Sequence, residues 1–96
     1  MGYYNFDDSI QRERFKRNKH IPVPPAAMRK YFEWRNRVAN YGHHPKTAAE
    51  SVCDAHFENL LGDKFSFRLT QEHRVVFSKQ GNNITVLTIG GHYDRQ

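Results

Sequence analysis

Phe65-Ser66-Phe67-Arg68-Leu69, Arg74-Val75-Val76-Phe77-Ser78 and Ile84-Thr85-Val86-Leu87-Thr88-Ile89 are the three runs whose reading decides the fold. In the first, apolar Phe65, Phe67 and Leu69 alternate with Ser66 and Arg68, the period-two pattern of a strand with one buried face. The second is rich in Val and Phe and the third is largely β-branched, compositions that suit a pleated, half-buried surface. Gln80-Gly81-Asn82-Asn83 between the last two is a hairpin signal. Short joins favour antiparallel neighbours, so the three runs are expected to form a meander.

Working outward, residues 7 to 61 carry helical periodicity instead. Asp7 to Arg17 offers acidic cap residues first and basic residues last, matching the helix dipole, with only Ile10 and Phe15 apolar. Ile21-Pro22-Val23-Pro24-Pro25 cannot be helical and reads as an extended connector. From Pro25 a second helix is expected to about Asn40, with Met28, Tyr31, Phe32, Arg35 and Val38 on one side and Trp34 off that stripe. A third is expected over Thr47 to Leu61, lined by Ala48, Ala49, Val52, His56 and Leu60, with Gly62 as its stop. Ahead of the helices only Gly2 to Phe6 is a strand candidate. The expected class is α+β, N-terminal helices packed on a small antiparallel sheet. With 96 residues the chain makes a single domain, mainly helical over about 1–61 and β over 64–93.

Composition narrows the function. No run approaches the ~20 apolar residues of a membrane span, and Met1 to Ile10 lacks the layout of a secretory signal, so a cytoplasmic protein is expected. Cys53 is the only cysteine, which excludes an internal disulfide, and its helical surroundings suggest packing rather than nucleophilic chemistry. A formal net charge of +5 and a pI near 9.6 favour a polyanion or an acidic protein as partner. Six histidines raise the question of a metal. Yet His43 and His44 have no Cys or carboxylate at ligand spacing, and no HxxxH or CxxC occurs, so neither metal nor cofactor is expected.

The chemistry concentrates in Phe65-Ser-Phe-Arg68-Leu-Thr-Gln-Glu72-His73-Arg74-Val-Val-Phe77, followed by Val86-Leu-Thr-Ile-Gly-Gly-His92-Tyr93. This string resembles the C-terminal half of RelE/ParE-superfamily toxins, and especially YoeB-like mRNA interferases. Those carry aromatic-Ser-x-Arg-[Ile/Leu]-Thr-x-Glu-His-Arg-[aliphatic]-Val-[aromatic] and finish on a His-Tyr pair. The resemblance spans roughly residues 60 to 93. Some members also carry a Glu ahead of the first hairpin strand, acting as general base. Ungapped counting from Arg68 puts Ala55 there, with Asp54 and Glu58 close by.

The resemblance implies a type II toxin that cuts mRNA on the ribosome without a metal. It also implies a cognate antitoxin protein covering the basic face, with no membrane partner and with a homodimer left open. Such cleavage needs a base for the 2′-hydroxyl, an acid for the departing 5′-oxygen and cations for the added negative charge. Arg68 and Arg74 on consecutive strands would hold the phosphate if their side chains share a face. His92 would move the proton and Tyr93 would position the substrate, with Gly90-Gly91 turning the chain toward the site. Lys64 is a basic neighbour suited to phosphate contact, and His73 stands in the turn as a further RNA-side candidate. Lys16 and Arg17, in the basic run Arg12 to Lys19, either form a solvated helix face or grip RNA or an acidic antitoxin segment. Two rival readings are a ParE-like toxin that poisons DNA gyrase by contact, and a catalytically inactive binding module of the same fold. A basic repressor is disfavoured because the Arg/His cluster lies on strands.

Overall fold

Alternating apolar residues at 65 to 89 bury one side of a sheet, and the rest of the chain is arranged to cover it. The computed structural model describes residues 4–17, 22–53 and 56–90. In chain order these form β1 (Asn5–Asp7), α1 (Ser9–Lys16), α2 (Pro25–Ala39), α3 (Pro45–Val52), β2 (Glu58–Asn59), β3 (Lys64–Arg68), β4 (Arg74–Gln80) and β5 (Asn83–Ile89). The class is α+β, as the sequence pattern predicts. β3, β4 and β5 form the expected antiparallel meander. The whole sheet is mixed, however, in the order β1-β5-β4-β3-β2. β2 adds antiparallel to β3, and β1 runs parallel to β5 at the opposite edge. Strand alternation carries no information about a partner most of the chain away, which is why the parallel edge escaped the sequence reading.

Two local features tune the meander. Gly81, at φ +60, takes the first central position of the two-residue turn between β4 and β5, the place where a type II′ turn requires positive φ. A register shift between Val76 and Phe77 pairs Val76 with Thr88 but Phe77 with Val86, leaving Leu87 as the extra residue of a bulge. The bulge lets Val86 and Ile89, three residues apart, both face the core.

Phe67, Leu69, Val75, Phe77, Ile84 and Val86 line that core with Ala27, Tyr31, Trp34 and Val38 of α2 and Ala48 and Ala49 of α3. Trp34 is its centre, fully buried, with ring centroids 4.8 Å from Phe67 and 5.3 Å from Phe77. The buried stripe of α2 is Ala27, Tyr31, Trp34 and Val38, which shares Tyr31 and Val38 with the expected one but includes Trp34, while Phe32 is 56% exposed. A stripe chosen by large residues alone passes over the small Ala27 and is rotated away from Trp34. Beneath α2, buried Asp8 accepts hydrogen bonds from Tyr31 Oη (2.9 Å) and Arg35 Nε (3.0 Å). Burial and the neighbouring Asp8 carboxylate both push the Tyr31 hydroxyl pKa up, so it remains a donor.

The third helix is shorter than its periodicity predicts. It stops at Val52, and Cys53 is fully extended at φ −152, ψ 175. The Cys53 Sγ donates to the Arg68 carbonyl at 3.0 Å, tying the helix end to β3 in a packing role. His56 and Leu60 therefore leave the expected helical face, and Gly62 turns the chain between β2 and β3 instead of stopping a helix. Among the described residues, no helix is long and apolar enough to cross a membrane.

Replacing Trp34 with Ala should cost about 3–5 kcal/mol of stability, whereas Phe32→Ala should stay within about 0.5 kcal/mol. Urea unfolding of both variants checks this, and the reverse order would mean that α2 presents its other side to the sheet.

Candidate functional site

Because directly paired residues share a sheet face, the register sorts the polar residues. Phe65–Phe77 and Phe67–Val75 are pairs of the core face. The intervening pairs, Lys64–Ser78, Ser66–Val76 and Arg68–Arg74, belong to the opposite face, and Glu58 joins them by pairing with Ser66. The condition posed for the two arginines is thus met: Arg68 and Arg74 are direct cross-strand neighbours on one face.

Arg74 is the organising group. Its side chain is only 13% exposed. Nη2 donates to Ser66 Oγ at 2.8 Å and to the His56 carbonyl at 3.1 Å, and lies 3.7 Å from Glu58 Oε1. Those two bonds use both Nη2 protons, so Glu58 is held by charge. Ser66 is fully buried although it faces away from the core, because the Arg74 side chain lies across it. His56 has φ +42, a conformation a non-glycine residue rarely adopts, and the bond from Arg74 to its carbonyl helps hold it there.

Like charges placed directly opposite each other destabilise a sheet. Among the described residues, Arg68 and Lys64 have no ion pair, and Arg74 Nη1 makes no hydrogen bond. The face consequently carries two adjacent guanidiniums and an ammonium, with one carboxylate, Glu58, beside them. An oxyanion bound between Arg68 and Arg74 would relieve their repulsion, and Glu58 is placed to accept a proton from a group held there.

The other sequence candidates fall differently. His73 lies in the β3–β4 turn, where its carbonyl accepts from Leu69 N (2.8 Å) and its N–H donates to the Thr70 carbonyl (3.4 Å). Lys16 ends α1 and Arg17 caps it, pairing with Glu13 at 3.2 Å; neither is joined to the strand arginines by a contact among the described residues. His92 and Tyr93 lie outside the described residues. Sequence reading missed Ser66 and His56 and left Glu58 without a role. Their only advance signal was that Ser66 faces the same way as Arg68 in an alternating strand. Among the described residues no three His, Cys, Asp or Glu side chains converge to hold a metal ion.

Ser66→Ala should cost about 1–3 kcal/mol, because it leaves a largely buried guanidinium proton without its acceptor. Glu58→Gln should cost less than about 1 kcal/mol, since that pair is long and its carboxylate half-exposed. Chemical denaturation of the two variants separates the group that builds the site from the group available for chemistry. A large loss in Glu58→Gln would assign Glu58 to the fold instead.

Neither a protein-family model nor a curated protein sequence matches this chain.

Proposed function

We propose that the protein is the toxin of a type II toxin–antitoxin system, a ribosome-dependent, metal-independent endoribonuclease that cuts mRNA in the cytoplasm. The observation that carries this reading is the pairing of Arg68 with Arg74 on one sheet face, with Glu58 at 3.7 Å from Arg74. The likeness of residues 60 to 93 to RelE/ParE toxins supplies the substrate. In this reading the scissile phosphate sits between the two guanidiniums, which take up the charge added when the 2′-oxygen attacks in line. Glu58 removes the 2′-hydroxyl proton, and the motif residue His92 protonates the departing 5′-oxygen. Lys64, two same-face pairs along β3 from Arg68, holds a neighbouring phosphate. Tyr93 stacks on a base of the single strand that the ribosome presents. A cognate antitoxin of acidic character would neutralise the same basic face.

One observation favours a second reading. Both Nη2 protons of Arg74 are spent inside the fold, which suits an arginine kept for structure in a ParE-like, non-hydrolytic gyrase poison.

Primer extension on cellular mRNA after induction tests the first reading. Wild type should produce cuts within translated codons, and Arg68→Ala, Glu58→Gln and His92→Gln should each reduce them at least about 100-fold. Intact mRNA during growth arrest, accompanied by DNA breaks, would transfer the activity to gyrase. Undiminished cutting in Glu58→Gln would take the base role away from that residue alone.

A further inference from the structure

A recess lies on the other side of the β2 edge from Arg74. It has a volume of about 350 Å³ and is floored by Phe57, Phe65 and Phe77. Phe77 is fully buried, so the half-buried Phe57 and Phe65 supply the aromatic surface a ligand would meet. Their ring centroids are 5.7 Å apart and tilted by 34°. Lys46, from the first turn of α3, and Lys79, from β4, stand at its wall with His44. Neither lysine is paired with a carboxylate among the described residues.

The wall is held in place before any ligand arrives. Lys79 Nζ sits 5.8 Å from the Tyr4 ring centroid, and the Tyr4 and His44 rings meet edge-on at 6.5 Å. His44 Nδ1 accepts the Lys46 N–H at 3.1 Å, so the neutral ring carries its proton on Nε2. Burial is the main cause that lowers the His44 pKa, and the charges of Lys79 and then Lys46 beside it act in the same direction. Aromatic surface below and unpaired cations above match a planar ring that carries an anion, and the volume suits one such unit. A phosphate alone would leave the phenylalanines unused. An uncharged aromatic would leave the lysines unused.

We propose that this recess binds one nucleotide of single-stranded RNA, its base against Phe57 and Phe65 and its phosphate between Lys46 and Lys79. Naming the polymer as RNA rests on the ribonuclease reading; the match to a nucleotide does not. β2 connects the two places. Asn59 pairs with Phe65 and lines the recess, while Glu58 pairs with Ser66 on the arginine face. A strand crossing this short edge meets both, so the recess would grip a nucleotide flanking the cut and contribute to which sequences are cleaved.

Binding of 5′-fluorescein-labelled hexaadenylate RNA to the purified full chain, followed by anisotropy, tests the proposal. The Lys46→Ala/Lys79→Ala double variant and Phe57→Leu should each weaken binding about tenfold. The charge-matched control Arg29→Ala/Lys30→Ala should stay within about twofold. A lysine double variant no weaker than that control would overturn the site, and does not depend on Phe57→Leu folding. In parallel, NMR with adenosine 5′-monophosphate should move the Phe57 and Asn59 signals and raise the His44 titration. Equal shifts with inorganic phosphate alone would reject the base-binding half. If cellular mRNA stays intact while binding still depends on these residues, the recess stands and the ribonuclease reading falls. Cut mRNA with unaffected binding gives the reverse.

Discussion

The indole of Trp34 meets α3 and three strands at one point of the core. Its ring packs on Phe67 of β3, Phe77 of β4 and Phe6 of β1, the last at 5.5 Å, so a single side chain of α2 reaches three strands. A buried indole N–H needs an acceptor. Nε1 finds it 3.0 Å away in the carbonyl of Pro45, the first residue of α3. The position of α3, and with it of His44 and Lys46, thus follows from the same side chain that seats α2 on the sheet. In a chain this short, with a core built from few large residues, such concentration is expected. There is too little apolar surface to spread the work over many contacts.

Arg74 plays a comparable part on the opposite face, by charge rather than packing. A fully buried serine away from the core would be costly without a partner, and Arg74 provides it while also bonding the carbonyl of His56. The guanidinium is thereby held in a fixed orientation, with one nitrogen engaged and Nη1 left without a protein partner among the described residues. Structural and functional readings of this arginine are compatible. A cation meant to stabilise charge at one point gains from being immobilised in advance, because no reorganisation is then needed when that charge develops.

What was legible in the sequence depended on range. β3 to β5 and their turns were readable because alternation and turn chemistry are local. The parallel pairing of β1 with β5 was not, since nothing near Asn5 specifies Asn83 as its partner. The third helix was read too long because Val52, His56 and Leu60 keep a four-residue spacing past the point where Cys53 turns extended and bonds Arg68. On α2 the large residues mark two possible stripes. Only the sheet it packs against, with room for Trp34 over Phe67 and Phe77, decides between them. The pairing of Arg68 with Arg74 could be posed as a condition from their strands, and the tight join between them satisfies it.

The case of Glu58 shows why a carboxylate could not be assigned by counting. Ungapped spacing from Arg68 leads back to Ala55, but between the two lie a two-residue edge strand and a turn at Gly62, and neither preserves spacing. Within a strand, a shift of one residue sends a side chain to the other face. Glu58 faces Arg74 and its neighbour Asn59 faces the aromatic recess solely because β2 pairs Glu58 with Ser66 and Asn59 with Phe65. Moving that register by one would exchange them, putting a carboxylate among Lys46 and Lys79 and an amide beside the arginines. The placement of this acid is therefore a property of edge pairing. The groups fastening that edge are Arg74, through His56, and Asn59, whose side chain donates to the Lys64 carbonyl at 2.9 Å. The guanidinium of Arg74 thus helps, with Asn59, to fix which side chain of β2 lies beside it.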